Sequence, residues 1–263
     1  MKKLLAILMA VAMLYSFAAC GGNDAPPAGD MAYVQGKGTL VVGITDFAPM
    51  DYKAEGSDEW IGFDADMAKE FAKYLGVEVE FVEIVWDQKV MELNGKNIDC
   101  VWNGMTLNDQ VLASMSCSDA YCVNSQVIVV PADKAEQYNT VDACKDLKFA
   151  VEGGSAGKDM AEANGFNYTE VDKQATALME VAAGTSDAAI IDSLMAGAMI
   201  GEGTGFATLT YTAALNSEEY GVGFRQGSDL AAEFNKFFKE QIANGKAAEI
   251  ANTYGVQEAV ILE

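Results

Sequence analysis

Apolar and polar positions along this chain switch between two periods, and the switches mark its elements. Residues 40–44 (Leu-Val-Val-Gly-Ile) form a continuous apolar run of strand length, followed by a loop over 45–49. Residues 51–59 are polar and read as a hairpin turn. From 65 to 75 the period becomes helical. Met67, Phe71 and Leu75 recur every four residues with Ala68 and Ala72 beside them, and Gly76 closes the segment. Residues 77–85 alternate apolar and charged side chains, as a strand with one face in water does. A short helix over 88–93 and a strand over 98–102 come next, then a strand over 126–130 that ends at Pro131. A second unit opens with an apolar strand over 147–151 and passes through a Gly-Gly-Ser loop. It continues with a helix from Lys158 and a strand over 188–191. Residues 220–224 read as a returning strand, and 230–244 and 247–254 as closing helices. Repeated strand–loop–helix–strand order predicts an α/β fold rich in parallel strands.

The first 38 residues follow another logic. Lys2 and Lys3 precede an apolar run over 4–14, and Ser16-Phe17-Ala18-Ala19 leads to Cys20. A run this short suits a secretion signal over residues 1–19 better than a membrane span. The small residues before Cys20 resemble a bacterial lipobox, with Phe17 where a leucine is usual, so Cys20 is the expected lipidation site. Residues 20–37 are rich in Gly, Ala, Pro and Asp and read as a flexible, lipid-anchored tether. The expected location is the outer face of the cell membrane.

Charge and composition then narrow the function. The net charge is −22, and removing residues 1–19 takes away two lysines and no acids, so the mature chain stands at −24. No basic cluster exists to neutralise phosphates, which excludes nucleic acid as a partner. There is no histidine. This removes the commonest transition-metal ligand and the commonest general base. Cys100, Cys117, Cys122 and Cys144 match no CxxC metal pair. Export permits disulfides among them but their spacing assigns none, and Cys100 and Cys117 lie in apolar contexts that suit small core residues. No metal, cofactor or catalytic residue is expected. Gly153-Gly154-Ser155-Ala156-Gly157 fits the G-x-S-x-G pattern, but a chain without histidine cannot build a Ser-His-Asp triad.

Several segments, in order, resemble the polar-amino-acid family of bacterial solute-binding proteins, which serve ABC importers. They are Gly62-Phe63-Asp64-Ala65-Asp66-Met67-Ala68, Trp86-Asp87, Ile98-Asp99, Gly104-Met105-Thr106, Ser118-Asp119-Ala120-Tyr121, Gly154-Ser155, residues 186–192 and Tyr220-Gly221-Val222-Gly223. The resemblance covers about residues 36–255. It implies a type II periplasmic-binding fold: two lobes with parallel-rich sheets and helices on both faces, joined by two crossing strands. Lobe 1 would take residues 38–127 and 219–263, lobe 2 residues 128–218. Ligand would sit in the cleft, at the carboxyl ends of the strands. The resemblance further implies a monomer that presents a small ligand to a membrane permease and performs no chemistry. A dehydratase-like enzyme and a sensory ligand-binding module are the alternatives on the same fold.

The same resemblance places the site. Phe47 and Trp86 hold positions of aromatic walls, and Asn103, Gly104 and Thr106 those of groups lent to the ligand. Ser155 and Ala156 occupy the second-lobe loop, and Asp192 the position of the carboxylate that pairs with the ligand's ammonium. The departure is Val111. Five residues after the Thr of the Gly-Met-Thr turn, the family has an arginine that clamps the ligand's α-carboxylate. Valine carries no charge and donates nothing, whereas arginine offers a two-pronged donor. Ala156 likewise replaces a threonine donor. A cleft that keeps the amine-binding acid and loses both carboxylate-binding groups favours a cationic amine over a standard amino acid, unless Lys89 or Lys158 supplies the missing donor. The chain's single arginine is Arg225. Glu152, Asp46 and Tyr121 add acidic and aromatic character that the sequence does not place.

Overall fold

The computed structural model describes residues 29–263, so the expected signal segment, Cys20 and the first part of the expected tether lie outside the described residues. In chain order, β1 (Thr39–Ile44), β2 (Tyr52–Lys53), β3 (Trp60–Ile61), β4 (Glu78–Glu83), β5 (Cys100–Thr106), β6 (Ser116–Cys117) and β7 (Cys122–Asn124) come first. Then follow β8 (Gln126–Pro131), β9 (Lys148–Glu152), β10 (Asn167–Val171), β11 (Ala188–Asp192), β12 (Leu209–Ala214) and β13 (Glu218–Phe224).

These strands make two mixed sheets and a hairpin. The first sheet runs β4-β1-β5-β13-β6, with β7 also on β13; the second runs β10-β9-β11-β8-β12; β2 pairs with β3. In the first, β1 is parallel to β4 and β5, while β13 returns antiparallel to β5. In the second, β9 is parallel to β10 and β11, and β8 and β12 are antiparallel additions. The chain crosses between the sheets twice, from β7 to β8 and from β12 to β13.

The helix Phe63–Leu75 shows how the sequence builds the first lobe. Phe63, Met67, Phe71 and Leu75 form its buried stripe, Asp64 and Asp66 favour its positive end, and Gly76 closes it in a left-handed conformation at φ 74°. Phe71 packs within 5.0–6.3 Å of Phe237, Phe234 and Trp102. These rings bind the helix to β5 and to the late helix Leu230–Ala243. Burial of each such side chain stabilises by about 1.5–3 kcal/mol. A separate core in the second lobe gathers Ile128, Val130, Phe149, Val151 and Ile190.

Five expectations need correction. Residues 30–37, expected as tether, form a docked helix, Asp30–Lys37. Its Val34 is fully buried, Arg225 Nε donates to both Asp30 oxygens at 3.0 Å, and Asp229 caps it from afar through Met31 N–H at 2.9 Å. The pattern was too short to show a period, and its partners lie almost 200 residues away. The strand expected over 98–102 runs later, Cys100–Thr106, and the helix expected from Lys158 starts at Ala156. All four described cysteines are free, and Cys117 is only half-buried. Tyr121 lies in the first-lobe core, where its hydroxyl donates to Asp64 at 2.7 Å, so it adds nothing to the cleft.

Candidate ligand-binding cleft

Parallel strands deliver their carboxyl ends to one place, and there the chain leaves space between the lobes. β1 leads to Thr45 and Phe47, and β4 to Trp86. β5 carries Asn103, Gly104 and Thr106, β9 ends at Glu152 before Ser155, and β11 ends at Asp192. The enclosed volume is about 150 Å³. A cavity of that size takes a small organic molecule. All nine residues singled out from sequence line it. Phe47, Trp86, Asn103, Gly104, Thr106 and Val111 come from the first lobe, and Ser155, Ala156 and Asp192 from the second. Asp46 is exposed and does not line it.

The polar groups on the first-lobe wall are largely spent inside the lobe. Asn103 accepts from Thr45 Oγ1 at 2.6 Å and donates to Thr45 O at 2.9 Å and Asp51 Oδ2 at 2.7 Å. Gly104 N–H donates to buried Asp64 at 2.8 Å. The expectation that Asn103 and Gly104 lend these groups to a ligand therefore meets a wall already bonded from behind. Gly104 has φ 54°, and a Cβ there would stand 2.3 Å from the Phe47 ring, so glycine lets the aromatic wall close on β5. Val111 lies in that wall, 5% exposed, among Trp86, Met105 and Met115. At this position the chain presents an apolar surface to the cleft. Arg225 is remote: it is bonded to Asp30, Asp99 and the Ile98 carbonyl.

The second-lobe side is anionic. Asn124, Gln126 and Tyr220 donate to Asp192 Oδ1 at 2.6, 2.9 and 2.5 Å, and Gln174 donates to Oδ2. Asp192 precedes the helix Ser193–Met199 but makes no side-chain cap, so capping is not what its carboxylate does. Burial and the nearby Glu218 charge push its carboxyl up to about 7, against the hydrogen bonds it receives. Glu152, 3% exposed, is the acid that sequence reasoning could not place. Burial first, then the charge of Asp192, push it up to about 8, and Lys89 and the Gln174 side chain oppose. Ser155 is turned to local use: it caps the helix Ala156–Ala163 through Lys158 N–H at 3.2 Å and donates to Glu152 O at 2.8 Å.

One cation reaches deep into this space. Lys89, 8% exposed, donates to Trp86 O at 3.2 Å and across the cleft to Gly154 O at 2.9 Å. Its ammonium stands 4.6 Å from the Trp86 ring centroid. Burial lowers its proton affinity, opposed by Glu152, Asp87 and Asp159. Lys158 lines the rim and pairs with Glu162 at 2.7 Å. The lobes also meet through Asn108 and Asp159 at 3.1 Å, and through Lys173 with Glu83. Gly154, at φ 70°, lies so close to Asp87 that a Cβ would approach its Oδ1 to 2.7 Å. Nothing in the periodicity pointed to Gln174, which reaches Asp192 from a helix start in the second lobe.

A sequence profile of bacterial extracellular solute-binding proteins, family 3, matches residues 40–257. The chain belongs to this family. Its similarity to an arginine-binding extracellular protein of Bacillus subtilis (strain 168) is 29% identity over 260 residues, 95% of this chain and 96% of that one. Among solved structures it resembles a mutant of the arginine-binding protein of T. maritima. The TM-score is 0.79 at 30% identity, over 86% of this chain and 98% of the other. It also resembles an ancestral amino-acid-binding protein described as a precursor of cyclohexadienyl dehydratase, with TM-score 0.78 at 27% identity, over 85% and 98%. The two-lobed α/β architecture is therefore that of type II periplasmic amino-acid-binding proteins, and this family member is a solute-binding protein.

Proposed function

We propose that this chain is the binding component of an ABC importer, anchored by lipid at Cys20 and capturing a small amine-bearing solute between its lobes for a membrane permease. The observation that carries this reading is Asp192: a buried carboxylate at the end of β11, in a cleft walled by Phe47 and Trp86. A cation there would gain from the carboxylate and from the aromatic faces. Ligand that touches both lobes would favour the closed form over an open one. The lipid-anchored reading predicts that the mature N-terminus is a diacylated Cys20. Intact-mass analysis of the membrane fraction checks it; an unmodified N-terminus downstream of Cys20 would exclude the anchor.

The apolar Val111 and the methyl group of Ala156 favour a ligand without a conventional α-carboxylate. A second reading rests on Lys89, whose buried ammonium has only carbonyls as hydrogen-bond partners and would serve a ligand carboxylate in place of the family's arginine. Thermal shift with matched pairs, each an amino acid and its decarboxylated amine, separates the two. Ligand at 100 times its dissociation constant adds about 2.7 kcal/mol of stability. The expected result is stabilisation by amines and not by the parent amino acids. Stabilisation by amino acids alone would transfer the carboxylate-binding role to Lys89.

A further inference from the structure

The Asp192 carboxylate has little left to offer. A carboxylate presents about four lone-pair sites. Four neutral donors already meet Asp192, three on Oδ1 and Gln174 on Oδ2. A primary ammonium brings three N–H donors and a guanidinium five. Either would bury N–H groups without acceptors if Asp192 stood alone, and a buried donor left unpaired keeps its full desolvation penalty. Glu152 lies in the same cleft with the opposite problem. Its carboxylate is buried, yet Oε1 has no hydrogen-bond partner among the described residues. Gln126 Oε1, beside Asp192, is unpartnered as well.

Resting on the amine reading above, we infer that Glu152 is a second anionic acceptor, so that the ligand's cation lies between Glu152 and Asp192 and must carry N–H groups. The site then selects primary ammonium or guanidinium groups and rejects quaternary ammonium. Phe47 and Trp86 alone would suggest an aromatic cage for a quaternary cation, but Lys89 already occupies a face of Trp86. The charged neighbours of Glu152 are Asp192 and Asp172 in its own lobe and Lys89 across the cleft, with Asp87 and Asp159 beyond Lys89. Before ligand arrives, burial keeps Glu152 largely protonated near neutral pH. A cation beside it favours the charged form, so binding releases a proton.

The experiment is calorimetric titration of the mature protein with agmatine and with L-arginine at pH 7.5, in two buffers of different ionisation heat. Choline, a cation with no N–H group, serves as the quaternary control. Binding by the wild type should release a proton, in whole or large part. Glu152→Gln should weaken binding by about 10- to 100-fold and remove most of the release, with its ligand-free unfolding temperature at pH 5 unchanged. Choline should not bind measurably, and choline binding as tightly as agmatine would overturn the inference. Wild-type binding with no proton release would mean that Glu152 is ionised before ligand arrives, and the affinity of Glu152→Gln then decides alone: a loss upholds the second acceptor, and none overturns it. If Asp192→Asn abolishes binding while Glu152→Gln stays within twofold, the importer reading stands and the second acceptor falls. If neither agmatine nor arginine binds the wild type, both fall.

Discussion

Asp192→Asn is expected to weaken binding of the amine ligand by about 100-fold or more, with the fold intact. Truncating or neutralising one partner of a buried, hydrogen-bonded charge pair costs about 2–5 kcal/mol, and about 2.7 kcal/mol is a factor of about 100. The side chain sits at a strand end where Asn124, Gln126 and Tyr220 converge on a single oxygen. Asparagine keeps an oxygen for those three donors. Its amide then replaces Oδ2, so one N–H of Gln174, which donates to that oxygen and accepts from Asp192 N–H at 2.9 Å, loses its acceptor. What the substitution removes is the negative charge facing the cleft. Calorimetry on the variant, with circular dichroism as the fold control, checks this. An affinity within threefold of wild type would show that the ligand's cation is bound elsewhere.

Stability of the ligand-free protein should fall as pH rises from 5 to 8. Asp64 and Asp192 have carboxyls pushed up to about 7, Glu152 to about 8, and Asp51 well above its usual value. Burial is the first cause in each case. For Asp51 the Asp64 charge adds to it, and one oxygen of each of these two acids has no partner among the described residues. A carboxyl whose pKa is raised by folding holds its proton more tightly in the native state. Its contribution is complete below the unfolded value near 4 and is lost as pH climbs through the folded value. The loss is therefore concentrated between pH 5 and 8. Each tenfold gain in proton affinity on folding corresponds to about 1.4 kcal/mol, so these acids together account for several kcal/mol, or about 10 °C in Tm for a chain this size. Scanning calorimetry at pH 5, 6.5 and 8 without ligand reads the slope. A flat or rising Tm over that range would mean that the acids are ionised throughout. Saturating cationic ligand should flatten the fall, because it stabilises the charged forms of Glu152 and Asp192.

Much of this molecule was legible from residue order. The four-residue spacing of Met67, Phe71 and Leu75 specified a helix with one buried face, and that face now packs on β5. Apolar runs at 40–44, 126–130, 147–151 and 188–191 became the strands β1, β8, β9 and β11. Because parallel strands of a sheet direct their carboxyl ends the same way, the residues following β1, β9 and β11 share the cleft, while those following antiparallel β8 do not, and all nine chosen residues line it. Local periodicity reports which side of an element is buried, and that information survives in the linear chain.

Hydrogen-bond allegiance does not survive there. Gly104 looked like a free backbone donor until Asp64, 40 residues away, claimed it. Asn103 is held by Thr45 and Asp51, more than 50 residues distant, and Ser155 is drawn into a cap. The helix Asp30–Lys37 read as a tether because Arg225, 195 residues on, is what secures it. Glu152 and Lys89 carry no pattern that marks them, yet packing buries both in the cleft, one with an oxygen unpartnered among the described residues and the other on carbonyls. A polar side chain satisfies itself with whatever the fold brings within about 3 Å. Its chemistry at the site is therefore a property of contacts between distant segments, which no local pattern of residues encodes.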